Sequence, residues 1–331
     1  MLRSETAAQP ARMAAALEGL RKYQEAERPP PRALPPGLGE IAGATLRDYG
    51  GEGEPVVLVP SLINPPGVLD LAEGNSLIGH LREAGLRPLL LDWGWDVEAR
   101  RGLGIGGHVE EIALPLIAEL GKPAALVGYC LGGTMAVAAA SLAPVRGVAA
   151  IAAPWHFSAF PDEARSMLAS LWAESAPAVE ALGLLPMEAL QRAFWSLDPG
   201  RTVAKFESFA AMDPDGDSAR AFVTLEDWAN DGPPLPGAAA KELFEGLFRD
   251  DLPGRGAWSV GDRIVDPTAL PCPVLDIVST VDRIVPAASA MAAGERVELA
   301  KGHVGMVVGR GARELLWEPL ARWLCGLAPS C

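Results

Sequence analysis

Short apolar runs alternate with longer segments of mixed polarity along the 331-residue chain. Uninterrupted apolar runs predict buried strands at 55–60, 88–92, 123–127, 147–152 and 273–278, with a further strand at 296–299. The segments between them predict helices at 69–84, 108–120, 134–142 and 312–325. Strands that are apolar on both faces and alternate with helices indicate a mainly parallel sheet with helices on both sides. The pattern therefore predicts an α/β fold.

The alternation stops between about Pro154 and Asp266, where the pattern is mostly helical and five of the nine tryptophans lie. We interpret this insertion between late strands as a cap over an active site. Ahead of the core, an Ala-rich stretch and a proline-rich hinge predict a helical arm. The predicted parts are the arm and hinge at 1–36, the core at 37–153 and 267–331, and the cap at 154–266.

The chain carries 28 basic and 42 acidic residues, a formal net charge of −14. This charge disfavours nucleic acid and anionic membranes as partners. Four cysteines without C-x-x-C spacing give no disulfide framework, and the N-terminal residues lack the apolar stretch of a signal peptide. An uncharged run over 123–145 is long enough for a membrane span, but its glycines favour strand, helix and strand. We therefore expect a cytoplasmic protein without a membrane span.

The uncharged run contains the motif G-x-C-x-G, formed by Gly128, Cys130 and Gly132. This is the form of the nucleophile elbow of α/β-hydrolases, with cysteine in place of serine. The tight strand-to-helix turn requires small neighbours, and the helix N-terminus beside the thiol favours a thiolate and an oxyanion. The N–H group of Leu131 would then be one donor of an oxyanion hole. The alternative is a buried structural cysteine in a glycine-rich turn.

Four histidines limit the choice of a general base. His303 follows a late strand on a loop that contains glycines, where the triad order of nucleophile, acid and histidine requires it. The others are disfavoured by their places along the chain: His80, His108 and His156. The acid should follow the preceding strand, which favours Asp282 over Asp276 inside that strand. Asp282 would hold His303 in the tautomer that accepts the thiol proton.

A second oxyanion donor should come from the loop after the strand at 55–60. The N–H group of Leu62 or Ile63 is the candidate. The alternative is a simple strand-to-helix turn without a chemical role. The sequence shows no metal-ligand spacing, and we expect neither a bound metal nor a bound cofactor.

With these residues placed, the chain resembles the polyhydroxyalkanoate synthases, especially the short catalytic subunit of the class III type. The similarity spans roughly residues 55–325, and the cysteine box GYCLGGT at 128–134 is its most specific motif. The other matching stretches are PSLIN at 60–64, LDL at 69–71, LDWG at 91–94, LEDW at 225–228, VDRIVP at 281–286 and GH at 302–303.

The resemblance implies a cysteine acyltransferase that takes (R)-3-hydroxyacyl groups from coenzyme A and passes them to a hydroxyl acceptor as a polyester grows. Cys130 would attack the thioester, with His303 as base and Asp282 as its partner. The CoA thioester would be a substrate and not a bound cofactor. The family also implies a homodimer or a second synthase subunit, and leaves association with polyester granules open. Candidate cations for the CoA phosphates are Arg100, Arg101, Arg201 and Lys205.

Two stretches depart from the family pattern. Arg283 stands where a histidine usually follows the catalytic acid, and Gly309-Arg310 stands where an asparagine and a proline are usual. These departures bear on polymerisation more than on the elbow chemistry. A cysteine-dependent hydrolase (a thioesterase, an esterase or an intracellular polyester depolymerase) is therefore the first alternative. A non-catalytic granule-associated or partner protein is the second.

Overall fold

The structure is a computed structural model that describes residues 2–29 and 32–327. Among these residues, eight strands form one sheet: β1 Gly37–Ile41, β2 Ala44–Asp48, β3 Pro55–Val59, β4 Arg87–Asp92, β5 Ala125–Tyr129, β6 Gly147–Ile151, β7 Val274–Ser279 and β8 Glu295–Leu299. Their order across the sheet is β1-β2-β4-β3-β5-β6-β7-β8. The pairs β1–β2 and β2–β4 are antiparallel, and every other neighbouring pair is parallel. The predicted mainly parallel α/β sheet is confirmed.

The core of this sheet is apolar on both faces. Every residue of β3, β5, β6 and β7 is buried, which explains why these strands appear in the sequence as uninterrupted apolar runs. Val59, Gly128 and Ala150 lie in one row across β3, β5 and β6. The loops that follow these three strands therefore begin at the same edge of the sheet, and that edge carries the candidate chemistry.

Helices alternate with the strands along the chain. The α-helices are Leu2–Glu5, Pro10–Glu25, Leu77–Glu83, Ile105–Gly107, Leu114–Ala118, Leu131–Leu142, Asp162–Leu182, Met187–Leu197, Pro199–Ala210, Asp217–Asn230, Gly237–Lys241, Gly305–Val308 and Glu318–Cys325. Helical segments with π-type hydrogen bonds lie at His108–Ala113, Glu242–Arg249 and Arg313–Trp317. Short 3₁₀ turns lie at Pro66–Leu69, Glu98–Arg100, Phe157–Ala159, Pro267–Ala269 and Ala287–Ser289. Short strands outside the main sheet are Asp70–Ala72, Asn75–Ser76, Leu184–Leu185, Leu235–Pro236, Ser259–Val260 and Arg263–Ile264.

The helix predicted at 69–84 is wrong over its first half, where two short strands occupy Asp70–Ala72 and Asn75–Ser76. Gly74 turns the chain between them with φ of 76°. The helix begins only at Leu77, and the Ser76 side chain caps it by accepting the N–H of Gly79 at 2.8 Å. The capping serine and the glycine turn therefore determine where the helix begins, and the overall apolar pattern of the segment does not.

The described residues pack into two compact units. One comprises the described residues of Met1–Ala33 together with Glu188–Asp231, and the other those of Leu34–Met187 and Gly232–Cys331. We call the first the helical unit and the second the sheet unit. The predicted boundaries of arm, core and cap differ from these and stay predictions. Met1, Pro30 and Pro31 of the predicted arm and hinge, and residues 328–331 with Cys331, lie outside the described residues.

Within the helical unit, the N-terminal helix Pro10–Glu25 packs on the helix Pro199–Ala210. A Cβ atom on Gly19 would lie 1.9 Å from the backbone oxygen of Phe206, so only glycine allows this close approach. The Tyr23 hydroxyl donates to Asp227 at 2.6 Å. The N-terminal helix is thus an integral part of this unit.

Nowhere in residues 2–29 and 32–327 does a helix combine the length and the apolar character needed to cross a bilayer.

Candidate active site

Cys130 forms the sharp turn between β5 and the helix Leu131–Leu142. Its backbone adopts φ of 56° and ψ of −132°, a strained conformation for a residue with a side chain. Two hydrogen bonds hold this conformation: the N–H of Cys130 donates to the oxygen of Ile151 at 2.9 Å, and the N–H of Gly133 donates to the oxygen of Cys130 at 2.8 Å. The helix starts three residues earlier than the predicted 134–142, so its N-terminus lies directly at the thiol.

The two flanking glycines are required by close backbone contacts. A Cβ atom on Gly128 would lie 2.3 Å from Cα of Gly133, and one on Gly132 would lie 2.1 Å from the oxygen of Val59. Neither contact can be relieved by moving a flexible side chain, because both partners are backbone atoms. The G-x-C-x-G spacing therefore follows from the geometry of the turn.

His303 and Asp282 form a buried pair. Nδ1 of His303 lies 2.6 Å from Oδ2 of Asp282. The other oxygen, Oδ1, accepts the N–H groups of Ile284 at 2.7 Å and Val285 at 3.1 Å. Only 7% of His303 and 9% of Asp282 is exposed. Three hydrogen bonds thus fix the carboxylate of Asp282 and, through it, the direction in which the imidazole points.

The His303 side chain also hydrogen-bonds Cys130, so all three residues lie together. Burial by itself would lower the pKa of His303, but the negative charges of Cys130 and Asp282 and the hydrogen bonds to both raise it from 6.5 to about 10. At neutral pH the raised pKa keeps the imidazole of His303 protonated next to the sulfur of Cys130. In such an arrangement the cysteine can serve as nucleophile and the histidine as proton donor.

Asp276 lies apart from this pair, in the interior of β7 between Ala150 and Arg296 of the neighbouring strands. It is 1% exposed, and neither carboxylate oxygen has a well-aligned donor among the described residues. Burial raises its pKa to about 6, although the charge of Arg296 and the N–H of Ala292 act in the opposite direction. The structure brings Asp282, and not Asp276, to the histidine.

The other histidines have different surroundings. His108 is fully buried, its Nδ1 lies 2.7 Å from the oxygen of Gly104, and burial lowers its pKa to about 4. His80 packs against Trp317, and burial lowers its pKa as well. In the part of the chain that the structure describes, no group of three or more His, Cys, Asp or Glu residues is arranged to hold a metal ion.

The loop after β3 lies against the elbow, since the backbone of Val59 and Pro60 is what a side chain at Gly132 would meet. The indole N–H of Trp93 donates to the oxygen of Pro60 at 3.1 Å and fixes this loop. The N–H of Ile63 already donates to Oγ of Ser61 at 3.1 Å. No residue within 2–29 and 32–327 accepts the N–H of Leu62. Of the two predicted donors, Leu62 is therefore the one whose N–H group is not used within the described residues.

Two of the four candidate cations are committed elsewhere. Arg100 is 2% exposed, and its guanidinium donates to three backbone oxygens, those of Ala42, Gly94 and Asp96. Its proposed role toward CoA phosphates is wrong, because the side chain is enclosed. Lys205 pairs with Glu226 at 2.6 Å in the helical unit. Arg101, which pairs with Glu98, and Arg201 lie on the surface.

Three residues near the candidate site were not identified from the sequence: Trp93, Tyr129 and Ser279. Each donates to a backbone oxygen of a loop that carries candidate chemistry, as described above for Trp93. Their sequence signal is slight, because a hydrogen bond from a side chain to a distant backbone oxygen leaves no spacing pattern. Trp93 and Tyr129 lie in the stretches LDWG and GYCLGGT, and Ser279 lies at a strand end, but none of these signals indicated a hydrogen bond.

No protein-family profile matches the chain. The chain is 28% identical over 298 residues to the poly(3-hydroxyalkanoate) polymerase subunit PhaC of Synechocystis sp., covering 82% of this chain and 77% of that one. It is 28% identical over 289 residues to the protein of the same name from Allochromatium vinosum, covering 82% and 80%. Among solved structures, the protein BpoC of Mycobacterium tuberculosis H37Rv aligns with a TM-score of 0.56 at 16% identity, over 88% of this chain and 98% of that one. The chain is therefore similar over most of its length to poly(3-hydroxyalkanoate) polymerase subunits, and its fold resembles that of BpoC.

Proposed function

We propose that this protein transfers (R)-3-hydroxyacyl groups from CoA thioesters, through an acyl-enzyme on Cys130, to a hydroxyl acceptor at the end of a growing polyester. The observation that carries the proposal is the contact of Cys130 with the buried His303–Asp282 pair at a strained strand-to-helix turn. The similarity to proteins named as poly(3-hydroxyalkanoate) polymerase subunits supports 3-hydroxyacyl units as the substrate class.

In the first half-reaction, the thiolate of Cys130 attacks the carbonyl carbon of the thioester. The new C–S bond forms as negative charge moves to the carbonyl oxygen, toward which the N–H groups of Leu131 and Leu62 would donate. The bond from that carbon to the sulfur of CoA then breaks. The imidazolium of His303 gives its proton to the departing CoA thiolate, which leaves as free thiol.

In the second half-reaction, the neutral imidazole of His303 takes the proton of the acceptor hydroxyl. The acceptor oxygen attacks the acyl carbon, the C–S bond to Cys130 breaks, and the imidazolium–thiolate pair is restored. Asp282 holds the imidazole in the same orientation through both steps. Because the acyl group passes from one thioester to another, the acyl-enzyme keeps enough reactivity for transfer, whereas a serine ester would be a deeper minimum.

The test incubates purified protein with (R)-3-hydroxybutyryl-CoA and measures both free CoA and the fate of the acyl group. Cys130→Ala should abolish CoA release. Cys272→Ala is the matched control, because Cys272 is also a partly buried free cysteine, and it should retain wild-type release. Polymer together with CoA supports the proposal, and the assay is repeated on dilution because a homodimeric enzyme loses specific activity when it dissociates.

Free hydroxy acid in place of polymer would move the chain to the hydrolase alternative. An active Cys130→Ala variant would contradict the mechanism itself. If the wild-type protein releases no CoA, at any concentration, the inferred substrate is wrong.

A further inference from the structure

The segment 301–303, which carries the candidate general base, is held by two side-chain hydroxyls. The Tyr129 hydroxyl donates to the backbone oxygen of His303 at 3.2 Å, and Oγ of Ser279 donates to the backbone oxygen of Lys301. Both donors are enclosed, with 3% of Tyr129 and 1% of Ser279 exposed. Water therefore cannot easily replace either hydrogen bond.

The two hydroxyls come from the strands that carry the other candidate catalytic groups. Tyr129 is the last residue of β5 and directly precedes Cys130. Ser279 is the last residue of β7, and its Oγ also accepts the N–H of Val281, next to Asp282, at 3.2 Å. The histidine segment is thus attached separately to the strand of the nucleophile and to the strand of the acid.

The aromatic ring of Tyr129 adds a second contact to the same histidine. Its centroid lies 5.0 Å from that of the His303 ring, with 30° between the planes. Burial and the nearby charges of Cys130 and Asp282 raise the pKa of Tyr129 well above its ordinary value of 10. The phenol therefore stays protonated and keeps donating over the whole range in which an enzyme of this kind would work.

We propose that Tyr129 and Ser279 are positioning residues that set the place of the His303 imidazole relative to Cys130 and Asp282, an inference that rests on the triad roles in the proposed function. Proton transfer depends steeply on such distances, because the reacting atoms must lie within hydrogen-bond reach. Loss of either hydroxyl leaves a buried backbone oxygen without its donor and loosens the segment.

The experiment compares Tyr129→Phe and Ser279→Ala with two matched controls. Tyr129→Phe keeps the ring and removes only the hydroxyl. Tyr23→Phe is its control, because the Tyr23 hydroxyl also donates to a partner, Asp227, in the helical unit. Ser141→Ala is the control for Ser279→Ala, because Oγ of Ser141 donates to a backbone oxygen within its own helix, at 2.7 Å.

The first readout is the rate at which iodoacetamide alkylates Cys130, followed by peptide mass spectrometry across pH. This measurement reports the pairing of thiol and imidazole without any substrate. Each site variant should move the rise of the alkylation rate to higher pH by roughly half a unit or more, since a looser imidazolium supports the thiolate less. The controls should follow the wild-type profile.

The second readout is CoA release. Each site variant should lower kcat about five- to tenfold, the effect of losing one hydrogen bond that orients a reacting group, with KM nearly unchanged. Wild-type alkylation profiles in both variants would overturn the proposal. So would a loss of activity that merely follows the folded fraction in thermal melting while the alkylation profile is unchanged.

The two proposals can fail independently. If the wild-type protein releases no CoA, the alkylation profiles still decide whether the hydroxyls position His303 beside the thiol. If Tyr129→Phe does not fold, Ser279→Ala decides alone, because it removes one atom at the opposite end of the same segment.

Discussion

Two buried aspartates on one strand-and-loop segment differ in almost every respect that matters for chemistry. Asp276 lies in the interior of β7, and Asp282 lies three residues beyond the end of that strand. Asp282 accepts two backbone N–H groups and contacts the His303 ring. Both oxygens of Asp276 lack a well-aligned donor among the residues described. Burial is nearly the same for both, so the difference lies in the donors around them.

The backbone explains this difference. In the interior of a parallel strand, the N–H groups are used by the ladders to both neighbours, here β6 and β8. Where the strand ends, the N–H groups of the next residues are released and can turn toward a carboxylate. The end of a strand therefore supports a buried anion, whereas its interior favours the neutral acid.

The largest expected effect is on activity, and it tests the comparison between Asp282 and Asp276 directly. Asp282→Asn should lower the rate of CoA release by about 10³-fold or more, because an amide cannot hold the imidazole in the required tautomer or stabilise the imidazolium. Asp276→Asn is the matched control and should stay within about twofold of the wild-type rate, as expected for a residue outside the reacting group. Equal losses in the two variants would mean that Asp276 also serves the reaction.

A second prediction concerns how the stability of the sheet unit depends on pH. Because burial raises the pKa of Asp276 from 3.8 to about 6, the folded state prefers the neutral acid. Below pH 3.8 the acid is neutral in both states, and as pH rises toward 6 the unfolded chain ionises first. The free energy of unfolding should therefore fall over this window by up to about 3 kcal/mol from this group.

Urea titrations near pH 4 and pH 8 measure this effect as the difference between the wild-type protein and Asp276→Asn. The asparagine variant should gain relative stability at the higher pH. Asp262→Asn, at an exposed aspartate, should show no such gain. If the free energy of unfolding changes with pH in the same way in the wild-type protein and in Asp276→Asn, Asp276 is ionised in the folded state.

The smallest expected effect comes from Arg296, which lies beside Asp276 in the neighbouring strand and acts to lower its pKa. Arg296→Gln should raise the pH at which this stability is lost by less than about one unit. The effect is small because the side chain is partly exposed and water screens its charge. In an Asp276→Asn background the same substitution should have no effect within this window. If Arg296→Gln causes the same shift in the Asp276→Asn background, the effect comes from the contact of Arg296 with Glu298 instead.

The sequence was sufficient where chemistry imposes a local pattern. The elbow needs glycines at fixed positions, so the spacing marked Cys130 as the candidate nucleophile, and the order of Asp282 and His303 along the chain supported it. His303 and Asp282 were predicted from their order and from strand ends, and the structure brings them together. The distinction between Asp282 and Asp276 also came from position relative to a strand, which is the same principle that explains their different surroundings. The catalytic roles of these residues stay predictions.

Other features were beyond the sequence for identifiable reasons. The hairpin of β1 and β2 was missed, because the edge strand β1 contains two glycines and has no buried residue, so it shows no apolar run. The N–H of Ile63 donates to Oγ of Ser61, a local hydrogen bond that the sequence did not indicate. The enclosure of Arg100 depends on the turn at Ala42 and on the segment that carries Gly94 and Asp96, and these two stretches meet only in the folded chain.

The helical unit is assembled from two pieces of chain that are synthesised at different times. About 150 residues of the sheet unit separate Met1–Ala33 from Glu188–Asp231. At ordinary rates of translation, the N-terminal helix therefore waits on the order of ten to thirty seconds for the helix on which it packs. A helix of 16 residues is only marginally stable alone in water. During that interval the Tyr23 ring lacks the contacts with Phe206 and Phe222 that it has in the folded unit. The helical unit can therefore be completed only after both pieces of chain have been synthesised.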